Sequence, residues 1–252
     1  MHPRPGAGAD LVAFATPILI NMANRPDRLR DSLDELRRVT GRAIEPGREL
    51  HLLRPERFDD AGGFANPGFR SNLDAHLRAA RWAAATGQER VLILEDDVGF
   101  RPDWVRHGPA LLAELADRPW HLASLGYLDT WGEAPTGPNG WVRFGGKVNG
   151  AHAYLLHRSA HEAWIAHLEA IAVGTPGDDL QGPMPSDGAL NTFAWLDPDH
   201  IRLLAVPNQA GTRPTRSDIT PGLVDRLPIV ADVVERLRQL RRRRGTSVVN
   251  YR

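Results

Sequence analysis

Cysteine is absent from the 252-residue chain, which excludes disulfides and thiolate metal sites and leaves the redox compartment unread. Lysine is nearly absent: Lys147 is the only one, and arginine supplies every other cationic side chain. An excess of either charge is missing too, since Lys+Arg and Asp+Glu both total 31. The overall balance therefore makes no case for nucleic acid or an anionic membrane as partner. No apolar run is long enough to span a bilayer. Leu11–Ile20 is interrupted by Thr16 and Pro17, with no clear cationic segment or small-residue cleavage site beside it, so cytoplasm is the default expectation. There is no internal repeat, no internal low-complexity segment and no glycine-rich phosphate loop of convincing form.

What is present suits a globular core: 42% hydrophobic residues against 25% charged. Taken in order, Pro17–Asn21 reads as a strand. A helix starts at Pro26, presents Leu29, Leu33 and Leu36 on one face, and stops at Gly41. Glu49–Leu53 reads as a second strand, followed by a loop through Gly62-Gly63 and Pro67-Gly68 and a helix over Asn72–Thr86. Val91–Leu94 is a third strand, Trp104–Leu115 a helix and Trp120–Leu125 a further strand. Asn139-Gly140 before Trp141–Phe144 suggests a hairpin, and Ala151–Leu156 returns as a strand. Ser159–Glu162 has the capping-box pattern for a helix burying Trp164, Leu168 and Ile171. Asp187 opens a short helix ending near Trp195, and Ile201–Val206 is the last strand expected. From Ile229 a final helix carries Val230, Val233, Leu237 and Leu240 on one seam and ends in Arg241–Arg244. It reads as a cap packed on the domain, an oligomer seam or a peripheral membrane contact. Strands alternating with helices indicate α/β architecture: a Rossmann-like, mainly parallel sheet flanked by helices, with a small antiparallel hairpin region. The expected division is a loose lead-in over residues 1–16, one domain over 17–222 and an arginine-rich helix and tail over 223–252.

The chemically charged feature is the end of Val91–Leu94. Four apolar residues suited to a strand buried on both faces run directly into Glu95-Asp96-Asp97. Adjacent carboxylates repel unless a cation or hydrogen-bond donors sit among them, and ligands of open α/β sheets bind outside the carboxyl ends of strands. Hard oxygen donors on a short turn suit Mg²⁺ or Mn²⁺ together with phosphate oxygens.

Several segments, in order, resemble the family 25 glycosyltransferases, the lipooligosaccharide-type and collagen galactosyltransferase group with a GT-A fold. Ile20-Asn21 with Arg25-Pro26-Asp27-Arg28 is similar to the family's opening strand and arginine-bearing turn. Gly68 and Leu73–His76 resemble its glycine and Ser-His helix, and Leu92–Asp97 matches its acidic motif. Gly150-Ala151 with Ala153-Tyr154, Pro185-Ser186-Asp187, and Pro207, Gln209 and Ser217-Asp218-Ile219 resemble its later elements. Asn72 and Ala75 depart from it, standing where the family has cysteine and serine, and Met22 replaces a leucine.

The resemblance implies transfer of a sugar from a UDP-sugar donor to a saccharide, peptide or small-molecule hydroxyl, with inversion and with Mn²⁺ or Mg²⁺. Asp97 would hold the metal, with Glu95 as a further metal ligand and Glu95 or Asp96 reaching ribose or metal-bound water. Asn21, Arg25 and Arg28 would lie against the nucleotide, and Ser217 and Asp218 would close over the diphosphate. Asp187 is the candidate base, with a helix N-cap as its plainer role. His76 reads as a core histidine or a support of the site, while His152 and His200 are further potential ligands. Trp131 and Trp141 are either sugar-stacking or core residues. A nucleotidyltransferase, or a GT-A-like binding module without catalysis, are the competing readings.

Overall fold

The computed structural model describes residues 10–131, 135 and 139–213. Ser217, Asp218 and the stretch expected as a final arginine-rich helix lie outside the described residues. In chain order the elements are α1 (Leu11–Phe14), β1 (Thr16–Ile20), α2 (Pro26–Thr40), β2 (His51–Leu53), α3 (Pro67–Ala85), β3 (Arg90–Glu95), β4 (Val98–Phe100) and α4 (Trp104–Ala116). They continue with β5 (Leu122–Gly126), β6 (Asp129–Trp131), β7 (Gly140–Arg143), β8 (Lys147–Asn149), β9 (Ala153–His157), α5 (His161–Val173), α6 (Ser186–Leu196), β10 (Arg202–Val206) and β11 (Ala210–Thr212).

Nine strands form one sheet in the order β2-β1-β3-β9-β5-β10-β7, with β11 joined to β4 and β5. β1, β2, β3, β5, β10 and β11 point one way, and β4, β7 and β9 run against them. The sheet is thus mainly parallel in direction, with β9 inserted antiparallel between β3 and β5. Both faces of β3 are covered, as its uninterrupted apolar run requires. The period-two alternation sends Leu92 and Leu94, beside Leu19, into a core shared with α1, α2 and α4. Val91 and Ile93, beside Ile18 and Ile20, face α3, α5 and α6.

Four local expectations change. The third helix starts at Pro67, not Asn72, because Asn66 accepts a hydrogen bond from the Phe69 N–H at 2.9 Å and Pro67 takes the first helical position. Trp141–Arg143 forms no hairpin: β7 pairs antiparallel with β10, and the separate two-stranded ribbon is β6 with β8. The Ser159 capping box does not form, since the Ser159 hydroxyl bonds His157 Nδ1 at 2.8 Å and Ala160 occupies the cap position. A further strand, β11, follows Ile201–Val206, and its pairing with β4 lies beyond the reach of local propensity. Within the stretch expected as lead-in, α1 buries Leu11 and Phe14 in the core. Among the described residues no helix is long and apolar enough to cross a membrane.

Candidate functional site

The parallel strands β1, β2 and β3 end at one rim of the sheet, where Asn21, Arg54 and Glu95 follow or close them. Antiparallel β9 starts at the same rim, so His152 sits beside Glu95 and its carbonyl accepts the Glu95 N–H at 2.9 Å. Close packing there depends on glycine. A Cβ on Gly126 would stand 2.4 Å from His152 Nε2, and Gly150 has φ +101°.

The three carboxylates diverge. Asp96 turns inward and is buried, accepting from Asn21 Nδ2 and from Arg28, each at 2.7 Å. Its carbonyl accepts from Ser32 Oγ at 3.0 Å and from Arg213 at 2.9 Å. Asn21 is itself enclosed: its Nδ2 also donates to the Arg25 carbonyl, and Arg54 donates to its Oδ1 and main-chain oxygen. Asn21, Arg28 and Asp96, expected against a nucleotide, are therefore turned toward one another inside the protein. The physical reason is that a buried carboxylate needs a counter-charge and donors, and α2 supplies the guanidinium.

Glu95 points toward α3 and accepts from Asn72 Nδ2 at 3.0 Å, with His76 Nε2 at 3.4 Å. Burial alone would raise its carboxyl, but His76, His152 and Asn72 together outweigh burial and hold it below the ordinary carboxylate range. His76 is fully buried, with Nδ1 3.0 Å from the Tyr154 hydroxyl, so it is both a core residue and a support for Glu95.

Asp97 is the different one. Its Oδ1 is buried and accepts no hydrogen bond from the described residues. Burial and then the neighbouring Glu95 charge push its carboxyl up to about 7, against the weaker pull of Arg28 and Arg213. Its backbone is held firmly, with the Arg213 N–H donating to the Asp97 carbonyl at 2.7 Å.

Asp187, in the first turn of α6, is partly exposed and accepts from the Gly150 N–H at 3.2 Å and the Gly188 N–H at 2.9 Å. It is not the helix cap, a position taken by Pro185. Asn72 joins this helix to the acidic turn, since its Oδ1 accepts the Ser186 N–H at 3.0 Å. Arg25 pairs with Asp27 at 3.1 Å and is partly buried. His152 bonds the Ala210 carbonyl through Nε2 at 3.3 Å. His200 stacks on Phe193 away from the acidic turn, and Trp141 is core, donating to the Leu111 carbonyl at 2.8 Å. Trp131 is 60% exposed, with the Lys147 ammonium 4.3 Å from its ring centre.

Arg54 and Asn72 are the site residues that reading the sequence missed as participants. The signal for Arg54 was its place directly after a strand ending on the same rim as Asn21. For Asn72 the only signal was its departure from the family pattern. No three His, Asp or Glu side chains converge as a metal cage among the described residues. A cleft of about 610 Å³ lined by Glu114, Arg118 and Arg143 lies at the opposite end of the sheet, and one of about 470 Å³ runs between β2 and α3 past Arg54 and Trp82.

No protein-family model matches the chain, and no curated protein matches it. Among solved structures, a glycosyltransferase involved in the glycosylation of the major capsid of PBCV-1 is similar over 75% of this chain and 81% of its own, with 13% identity and a TM-score of 0.45.

Proposed function

We propose that the protein is a family 25-like glycosyltransferase that moves a sugar from a UDP-sugar to an acceptor hydroxyl, with inversion and with a divalent metal. The observation that carries the reading is Asp97: a buried carboxylate oxygen with no hydrogen-bond partner among the described residues, beside a second carboxylate, at the rim where α/β sheets bind ligands. That environment fits a cation better than it fits a proton-free, unpaired acid. Mg²⁺ and Mn²⁺ take carboxylate oxygens together with phosphate oxygens and water, so one or two carboxylates suffice. Asp97 would hold the ion, with Glu95 alongside. When bound, the ion stabilises the negative charge gathering on the leaving diphosphate.

The chain's own groups do the rest. Arg25, whose guanidinium pairs with Asp27 just after the first strand, would turn it toward phosphate oxygens. Asp187 takes the proton of the acceptor hydroxyl as that oxygen bonds the sugar's anomeric carbon. The bond from that carbon to the diphosphate breaks, and UDP leaves with the electron pair.

Thermal unfolding tests this directly. UDP and Mn²⁺ together should raise the Tm by about 5 °C or more at saturating ligand, beyond either alone. Asp97→Asn should abolish that gain. Asp187→Asn should keep it while turnover of UDP-galactose or UDP-glucose falls about a hundredfold or more. A wild-type protein indifferent to the UDP and Mn²⁺ pair overturns the reading.

A further inference from the structure

The Asn72 side chain touches two parts of the molecule that are remote in sequence. Its amide nitrogen donates to Glu95 Oε1 at 3.0 Å, and its amide oxygen accepts the Ser186 N–H at 3.0 Å. The polarity of that bridge is forced. A carboxylate can only accept on one side and a backbone N–H can only donate on the other, so turning the amide over would lose both bonds. Ser186 is the first residue of α6, where the N–H has no partner within the helix and needs one from outside. The next residue is Asp187, whose carboxylate accepts the Gly150 N–H at 3.2 Å.

We propose that Asn72 is a positioning residue that fixes the start of α6, and with it Asp187, relative to the acidic turn through one amide. The proposal rests on the sugar-transfer reading and adds to it a coupling between the donor side and the acceptor side. Asn72 touches neither substrate in this scheme. It acts by holding Glu95 and Ser186 at a set separation, and a displacement of even about 1 Å at a reacting pair can cost up to a hundredfold in rate.

Two substitutions separate the ends of the bridge. Asn72→Ala removes both contacts. Asn72→Asp keeps an acceptor for the Ser186 N–H and loses the donor to Glu95. In the alanine variant, hydrogen exchange of the Ser186 amide should quicken about tenfold, the effect of losing one hydrogen bond. Its kcat for hydrolysis of UDP-galactose or UDP-glucose should fall about tenfold or more, with KM for the donor within about twofold of wild type. The aspartate variant should keep Ser186 protected, while its kcat falls at least as far as in the alanine variant because a second carboxylate then faces Glu95. A purely structural residue would lower the Tm of both variants without this split.

Protection of Ser186 in the alanine variant, an unchanged kcat, or equal behaviour of the two variants in both measurements overturns the proposal. If UDP and Mn²⁺ fail to stabilise the wild type, the functional reading itself has failed. If they do stabilise it and Asn72→Ala still turns over normally, only the role of Asn72 is lost.

Discussion

Asp96 and Asp97 are neighbours in the chain and opposites in chemistry. Asp96 has Arg28 and Asn21 against its two oxygens, whereas Asp97 keeps one oxygen buried and unbonded by any of the described residues. A carboxyl raised to about 7 by burial stabilises the fold when protonated and loses that contribution as pH rises from about 4 through 7. The ligand-free Asp97→Asn variant, tested for loss of the UDP and Mn²⁺ gain, should therefore also unfold a few degrees higher than wild type at pH 8.

His167 gives the converse case. It lies against Trp164 and Phe193 with Nε2 donating to the Ala189 carbonyl at 3.1 Å, and burial pushes its pKa down to about 4. A neutral buried histidine favours the fold above about 6.5, and that contribution is lost as pH falls from 6.5 through 4, because the unfolded chain takes the proton first. Thermal unfolding across that window should show a smaller drop in Tm for His167→Gln than for wild type. Parallel curves for the two proteins would refute it.

Among elements, α3 shows how a loop signal can hide a helix start. Gly62-Gly63 and Pro67-Gly68 look like punctuation. Yet proline belongs in the first turn once a cap precedes it, and the Asn66 side chain supplies that cap. Asn66→Ala should cost about 1 kcal/mol in urea unfolding, and a loss near zero would mean that packing of Leu73 and Leu77 alone sets the helix start. The failed capping box at Ser159 carries the opposite lesson. The hydroxyl found a closer partner in His157, and α5 is held by the burial of Trp164, Leu168 and Ile171 instead. Trp141 was ambiguous as a residue and is decided as part of an element, because β7 pairs with β10 and turns the indole into the core under α4.

At the scale of the whole molecule, Arg202 ties β10 to α6 and to the segment between β7 and β8. Almost completely buried, it donates to the carbonyls of Leu190, Phe144 and Gly146 and to Asn191 Oδ1. Asn191 in turn brackets Val148 on the β6–β8 ribbon, accepting from its N–H and donating to its carbonyl. Burial pushes the Arg202 guanidinium down to about 10, and its partners are neutral. Arg202→Met would leave those buried oxygens unsatisfied and should cost about 3 kcal/mol in urea unfolding. A cost below about 1 kcal/mol would show that β10 and α6 stay joined without it.

The amino-acid order alone determined that Val91–Leu94 is a strand covered on both faces, that it runs into three carboxylates, and that strands and helices alternate around it. Those features follow from side-chain period and local propensity, which act over a few residues. Only the folded chain decided which carboxylate is satisfied and which is left open. Arg28 reaches Asp96 across 68 positions, and Asn72 reaches Ser186 across 114. Such pairings exist only once the sheet order has brought α2, α3, β3 and α6 to one rim, and burial then fixes the charge that each group can bear.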